Sequence, residues 1–427
     1  MRIAVWHNLP SGGGKRALYN HVRGLVGRGH VLESWCPPTV DPQYLPLNEL
    51  IREHVVPFHW SPKRPRGRIR RALANYTNII DKLRAMDEHC KQCAEEINQR
   101  GFDLLFSNTC QFFGVSSIGR YVKIPRVIYL QEPHRVLYEA IPRLPWLALP
   151  SPDNGRRWPG LKFVKRFVKD LITVQGLRVQ AREEQSNARA FDAILVNSYF
   201  SRECTLRAYG VDAKTCYLGV DTKLFIRTHR PKEDLVVGVG AFVPTKNIRF
   251  IIQALAHLPD PRPHFIWIGN DADTGYFDEL RQLALSNGVS YETRLRISDT
   301  ELVDTLNRAL LLAYAPRLEP FGLVPLEANA CGTPVVAVAE GGVRETVIDG
   351  LNGILVEPDP RAMAAAIQRL RDDHAYATHL GQNGYDLVSH RWSLEASLDR
   401  LEQRFTEVIH SPLISKGILA PAGATSS

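Results

Sequence analysis

Long apolar runs are missing from this sequence. Nowhere does it hold the run of about 20 consecutive apolar residues that a membrane-spanning helix needs. Cysteine is sparse: seven residues scattered over 427, with no tight framework, fit a reducing cytosol and not a disulfide scaffold. The opening residues Met1-Arg2-Ile3-Ala4-Val5-Trp6-His7 carry a charge but lack the apolar core of a secretory signal, so a cytoplasmic location is expected. No internal repeat of about 20–50 residues is visible. Charge of one sign hardly dominates: 53 Lys+Arg against 45 Asp+Glu leave +8, which permits an anionic partner without naming one. Collagen-like, coiled-coil, integral membrane and small secreted classes are thereby excluded. What remains, 44% hydrophobic and 23% charged residues, is ordinary globular composition, and the length suits two to three domains.

The pattern is α/β. Ile3-Ala4-Val5-Trp6 reads as a buried strand, followed by the glycine turn Ser11-Gly12-Gly13-Gly14-Lys15. A helix with Ala17, Leu18, Val22, Leu25 and Val26 on one face comes next. Strand, glycine turn and helix form the first unit of a doubly wound sheet. Leu104-Leu105-Phe106, Val127-Ile128-Tyr129-Leu130 and Ala193-Ile194-Leu195-Val196 read as further parallel strands. A second set begins after Pro231, with strands at Leu235 to Val239, His264 to Ile268, Leu310 to Tyr314 and Val335 to Val338. Ser298-Asp299-Thr300-Glu301 is a capping-box helix start. Leu394, Leu398, Leu401, Phe405 and Val408 keep a helical period, as a helix crossing back to the first unit would. The expected organisation is two Rossmann-like domains, residues 1–222 and 223–392, then a crossover helix over 393–410 and a flexible tail over 411–427.

Ligands of such sheets lie beyond the carboxyl ends of the strands. Glu319 follows the strand Leu310 to Tyr314, and Pro325 suits the first turn of a helix that also carries Glu327. The backbone N–H groups of Phe321, Gly322, Leu323 and Val324 have no intrahelical acceptors, so they form an anion site, and Gly322 allows close approach. Two glutamates eight positions apart are by themselves equally a solvated loop residue and a helix-start residue. Lys246, in a loop after a strand, is equally a solvated lysine.

In order along the chain stand Gly12-Gly13-Gly14, Arg28-Gly29-His30, Val196-Asn197-Ser198-Tyr199-Phe200-Ser201, Leu218-Gly219-Val220-Asp221, Lys246, Glu319 to Glu327, Gly332-Thr333-Pro334 and Gly341-Gly342-Val343-Arg344-Glu345. Their order and spacing resemble the retaining family-4 glycosyltransferases of the GT-B fold, over roughly residues 1–30 and 190–410. The resemblance implies a hexosyltransferase moving a sugar from a UDP- or GDP-sugar to a glycan or lipid-linked acceptor in polysaccharide, lipopolysaccharide or glycolipid biosynthesis. It places Glu319 against the donor sugar, Glu327 at the ribose and Lys246 at the diphosphate. Gly13 and Gly14 join the donor side. It implies no cofactor and no metal, and the leaving phosphate itself takes the acceptor proton. The family's usual arginine beside the strand-end glycine is Ala241 here; Arg317 and Lys15 are the candidate stand-ins. Glu132 and His134, after the strand ending at Leu130, are candidate acceptor or sugar contacts, or equally parts of a turn around Pro133. Two rival functions stay open: a nucleotide-sugar epimerase of the same architecture, and a non-catalytic nucleotide-sugar-binding partner of another transferase.

Residues 135–190 form a basic insert with Trp146 and Trp158. Within it Phe163, Val164, Phe167, Val168, Leu171 and Ile172 share one helix face, with Lys162, Lys165, Arg166 and Lys169 opposite. Such a helix suits an anionic membrane surface, which would make the protein peripheral on the inner face, or else a core. A second basic cluster runs through Lys63, Arg64, Arg66, Arg68, Arg70 and Arg71. No basic-aromatic platform points to nucleic acid. His89-Cys90 and Cys93 lack the second pair a zinc site needs.

Overall fold

A computed structural model of the chain describes residues 1–65, 68–138, 161–270 and 274–410. The tail over 411–427, Arg66, Trp146 and Trp158 fall outside those residues, and nothing is described of the Lys162 and Phe163 side chains.

Strands β1 (Arg2–Asn8), β2 (Val31–Cys36), β3 (Arg52–Val55), β4 (Leu104–Cys110), β5 (Arg126–Leu130), β6 (Ala193–Val196) and β7 (Lys214–Thr215) form one parallel sheet in the order 3-2-1-4-5-6-7. Strands β8 (Glu233–Val239), β9 (His264–Gly269), β10 (Tyr291–Leu295), β11 (Ala309–Tyr314), β12 (Val335–Val338) and β13 (Gly353–Val356) form a second parallel sheet in the order 10-9-8-11-12-13. Helices cover both faces of each sheet, so the central strands are apolar on both sides: Ile3, Val5 and Leu104 face one core and Ala4, Trp6 and Leu105 another, all inaccessible to solvent. Each sheet reverses its winding between β1 and β4, and between β8 and β11. The loops after those strands therefore border the crevices where ligands of open sheets bind.

The chain passes between the domains twice, at one place. Val220 N–H donates to Trp392 at 2.7 Å, and Leu394 N–H donates back to Val220 at 2.7 Å. Gly219 makes the crossing possible, because a Cβ there would lie 2.2 Å from the Ser393 carbonyl. Helix Leu394–His410 then packs on the first domain. Leu398 lies against Gly24 of helix Gly13–Gly27, and Phe405 stacks edge-on against Phe106 with ring centres 5.0 Å apart. Arg28 holds Glu395, Asp399 and Glu402 of the same helix. Of the apolar face read for helix Gly13–Gly27, Val26 is the exception: it is exposed, while the other four residues are buried.

Two long helices, Arg68–Gln99 and Leu161–Ala188, lie side by side on the first domain. Gly176 is pressed against Ile79, while further along Asp87 accepts from Tyr121 and Glu183 pairs with the adjacent Arg120. The offset stays constant, so the two helices run in the same direction. The apolar stripe of the second is not core over its first three turns: Leu161, Val164, Phe167, Val168 and Leu171 are exposed there, beside exposed Lys165, Arg166 and Lys169. His89 and Cys93 are core residues of the first helix, with Trp6 Nε1 donating to His89 Nε2 at 3.3 Å.

Candidate active site

The carboxyl ends of β8 and β11 lie side by side, and each sends out a short, tightly held loop. After β8, Gly240 lies at φ +157, and its missing Cβ leaves room for the Lys246 stem. Trp267 Nε1 donates to the Gly240 carbonyl at 2.8 Å, and a single 3₁₀ turn, Pro244–Lys246, ends on the lysine. After β11, Arg317 N–H donates to Thr245 at 3.0 Å and ties the two loops together. Lys246 Nζ thereby meets Glu319 Oε2 at 2.7 Å, with only 25% and 15% of the two side chains exposed.

The Glu319 loop needs its glycines. Gly341, at φ +60, would put a Cβ 2.4 Å from the Glu319 carbonyl, and the Gly342 N–H donates to that carbonyl at 2.7 Å. Leu318 itself is left-handed, at φ +50, a conformation unfavourable by about 1–2 kcal/mol for such a residue. Gly322, at φ +98, turns the chain into helix Leu323–Ala330 with no side chain capping its start. The N–H groups of Leu323 and Val324 thus open the helix four and five residues after Glu319, with the positive end of the helix behind them. The Phe321 side chain is core, packed edge-on against Trp392 at 5.6 Å.

Glu327 is buried in the same helix. Burial pushes its carboxyl up to about 7; Arg16 opposes this and Asp299 adds to it. Arg16 follows the first domain's glycine turn and forms a two-pronged ion pair with Asp299 of the second, at 2.6 and 3.0 Å. Sequence reading missed both residues. The only available signals were a charge two residues after Gly14 and a capping box, and neither indicates that the two meet across the cleft.

The first domain contributes less than its sequence suggests. Helix Gly13–Gly27 begins inside the glycine turn, so Gly13 and Gly14 are its first residues. A Cβ at Gly13 would meet nothing within 4 Å, so open space borders the turn. Lys15 does not stand in for the arginine absent at Ala241. It is buried, its Nζ donates to the Asp41 carbonyl at 3.1 Å, and burial lowers its pKa. Arg317 is exposed. A second cation besides Lys246 reaches the Glu319 loop: Arg135, whose guanidinium donates to the Arg317 and Leu318 carbonyls at 3.2 and 2.6 Å. Glu132 accepts from Arg135 at 2.5 Å, so it serves this clamp. Burial lowers the His134 pKa, with Lys82 adding to the effect, and His134 Nδ1 is buried without a partner.

Further contacts hold the lobes together. Ser198 Oγ donates to the Pro320 carbonyl. Glu345 accepts from the Tyr199 and Phe200 N–H groups, both at 3.0 Å, and from the Tyr217 hydroxyl at 2.9 Å. A second-domain carboxylate thus caps first-domain helix Tyr199–Tyr209. Elsewhere His7, Cys36 and Glu53 bring potential metal-ligand atoms within 4.8 Å of one another, but the Lys15 charge acts on the same group and His7 Nε2 lies 3.2 Å from Glu53.

Residues 220–387 match the family model described as glycosyl transferases group 1. Over 281 residues the chain is 27% identical to alpha-1,3/1,6-mannosyltransferase ALG2 of Homo sapiens, covering 59% of this chain and 67% of that protein. Over 231 residues it is 32% identical to D-inositol 3-phosphate glycosyltransferase of Kineococcus radiotolerans, covering 46% of this chain and 53% of that one. These matches span about half to two thirds of the relatives' length. Among solved structures, sucrose-phosphate synthase of Thermosynechococcus elongatus superposes with a TM-score of 0.67 at 21% identity, over 95% of this chain and 98% of that one. HepE of Anabaena, solved in complex with UDP and glucose, gives 0.67 at 19% identity, over 95% and 100%. These likenesses give the fold, which is GT-B.

Proposed function

We propose, from the premise that this chain is a group 1 glycosyltransferase of hexosyltransferase type, that it moves a sugar from a UDP- or GDP-sugar to a hydroxyl of a glycan or lipid-linked acceptor, with retention of configuration. The observation that carries this reading is Lys246 paired with Glu319 at the open start of helix Leu323–Ala330. As the glycosidic bond breaks, the departing nucleoside diphosphate gains negative charge. A cation and two N–H groups already in place stabilise it without reorganisation. Lys246 exchanges Glu319 for the diphosphate, which frees the Glu319 carboxylate to accept from the donor sugar's hydroxyls. Glu327 accepts from the ribose. The departing phosphate takes the proton of the attacking hydroxyl, so no side-chain base is needed, and the reading calls for no cofactor.

The start of helix Leu161–Ala188 docks the protein on an anionic membrane surface, on the cytoplasmic side, where a lipid-linked acceptor is presented. Among the described residues no helix is long and apolar enough to cross a membrane. Five exposed apolar side chains beside Lys165, Arg166 and Lys169 suit insertion at the headgroup level.

The test is incubation with UDP-, GDP- and ADP-hexoses and hydroxyl acceptors, with products followed by chromatography and their anomeric configuration by NMR. Transfer with retention, lost in folded Glu319→Ala, supports the reading. Epimerised donor without transfer, or transfer unchanged in Glu319→Ala, overturns it.

A further inference from the structure

The second domain has another charged cavity, at the opposite end of its sheet. It holds about 400 Å³, within the range of small-molecule sites. Its lining includes Arg227, His229, Arg230, Lys232 and His374, and among the described residues no acidic side chain lines it. Lys232 immediately precedes β8, Leu310 lies at the start of β11 and Pro334 immediately precedes β12. Lys246 and Glu319 follow the far ends of β8 and β11, and a six-residue strand spans roughly 20 Å, so this cavity is separate from the cleft.

The charges in it are poorly compensated. Arg230 pairs with Asp304 at 2.7 Å. Among the described residues neither Arg227 nor Lys232 has a carboxylate within ion-pair distance. Arg227 lies across Gly332, whose φ is +70, and donates to the neutral amide of Gln382. Lys232 is exposed as a residue, yet its Nζ reaches inward to Oγ1 of the fully buried Thr333 at 2.6 Å. That hydroxyl spends its own proton on the Leu306 carbonyl, 2.6 Å away. Burial pulls the Lys232 ammonium down to about 8; the Cys331 thiol opposes this and Arg227 adds to it. The 18-residue helix His374–Arg391 begins at the cavity wall, its first turn capped by Asp373, whose carboxylate accepts from the Tyr376 N–H at 2.8 Å. Two cations without a carboxylate partner and two imidazoles around a cavity of this size leave room for an anion.

We propose that this cavity binds a small phosphate-bearing anion, held by Arg227 and Lys232, at a site separate from the donor cleft. Free phosphate and a phosphate monoester on a small carbon body share this chemistry, and a cavity of this size favours the monoester. The experiment is thermal unfolding of the full chain against rising inorganic phosphate, and separately against glycerol 3-phosphate, with ionic strength held constant by sodium chloride. Four proteins are compared: the parent, Lys232→Gln, Lys232→Arg and Lys246→Ala. The expected result is a saturable rise in midpoint for the parent, Lys232→Arg and Lys246→Ala, with half-saturation shifted about tenfold in Lys232→Gln. Tighter half-saturation by glycerol 3-phosphate identifies the monoester, and equal values identify phosphate alone. No saturable rise in the parent, a rise unchanged in Lys232→Gln, or a rise lost in Lys246→Ala would overturn the proposal. Because Lys246→Ala reads the cleft and Lys232→Gln the cavity, failure here leaves the transferase reading untouched.

Discussion

Lys246 and Glu319 sit 2.7 Å apart on loops from neighbouring strands, each holding the other's charge in the unliganded site. Removing either partner of a site that acts as a unit disables it. Lys246→Ala is expected to lower kcat/KM by about 10²–10³, the scale of a lost transition-state charge contact. The double variant Lys246→Ala/Glu319→Ala is expected to be little worse than either single variant, because effects within one unit do not add. Steady-state kinetics of the four proteins checks this, and additive losses would separate the two residues.

The ion pair between Arg16 and Asp299 bridges the cleft above Glu327. A bridge worth about 1.4 kcal/mol shifts an open–closed ratio about tenfold. Arg16→Ala is therefore expected to raise the donor KM by up to about tenfold with the fold intact, and to broaden the small-angle scattering distance distribution. An unchanged profile would show that the other bridges suffice.

Glu327 gives stability a defined pH dependence. In the folded protein burial holds its carboxyl at about 7, against about 4.5 when unfolded. Between those values the native state binds the extra proton, so stability falls as pH rises from about 4.5 to 7 and stays lower above. Glu327→Gln removes this loss. Its midpoint is expected to match the parent near pH 4 and exceed it at pH 8, with roughly 3 kcal/mol as an upper bound. Glu184, also buried and pushed up to about 7, contributes alike to both proteins and cancels. Parallel stability profiles for parent and variant would refute the burial argument.

Much of the fold could be read from apolar runs, and the exceptions have physical causes. Five strands, β2, β3, β7, β10 and β13, are not legible as apolar runs; β10 is polar and half-exposed at a sheet edge over Tyr291-Glu292-Thr293-Arg294, and Glu33 and Ser34 interrupt β2. Gly219 and Gly341 were visible as glycines, but the reason for each lies in a carbonyl brought in from distant sequence, Ser393 and Glu319. Within the site, Lys246 and Glu319 stand out because each lies in a loop leaving the carboxyl end of a strand, and Glu327 because it lies on the helix that the second loop leads into. Arg16, Asp299 and Arg135 were not, because their function depends on how one domain faces the other. Lys15 is the opposite case: it is near the cleft in sequence but points into its own domain, toward Asp41.

Exposed Val164, Phe167 and Leu171 make the membrane reading testable without touching the core. Each such side chain contributes about 1.5–3 kcal/mol when fully buried, and each nearby basic residue about 1 kcal/mol at an anionic surface. Val164→Ser/Phe167→Ser is expected to abolish flotation with phosphatidylserine-containing vesicles while leaving the unfolding midpoint within about 1 °C. Equal flotation of parent and variant would end the idea.

The most direct measurement is calorimetric titration of the parent and Lys246→Ala with UDP and with GDP. The account predicts that the parent binds at least one nucleotide with a Kd below about 1 mM, and that Lys246→Ala weakens it about tenfold or more. No saturable binding of either nucleotide, or equal affinity in the variant, would contradict it.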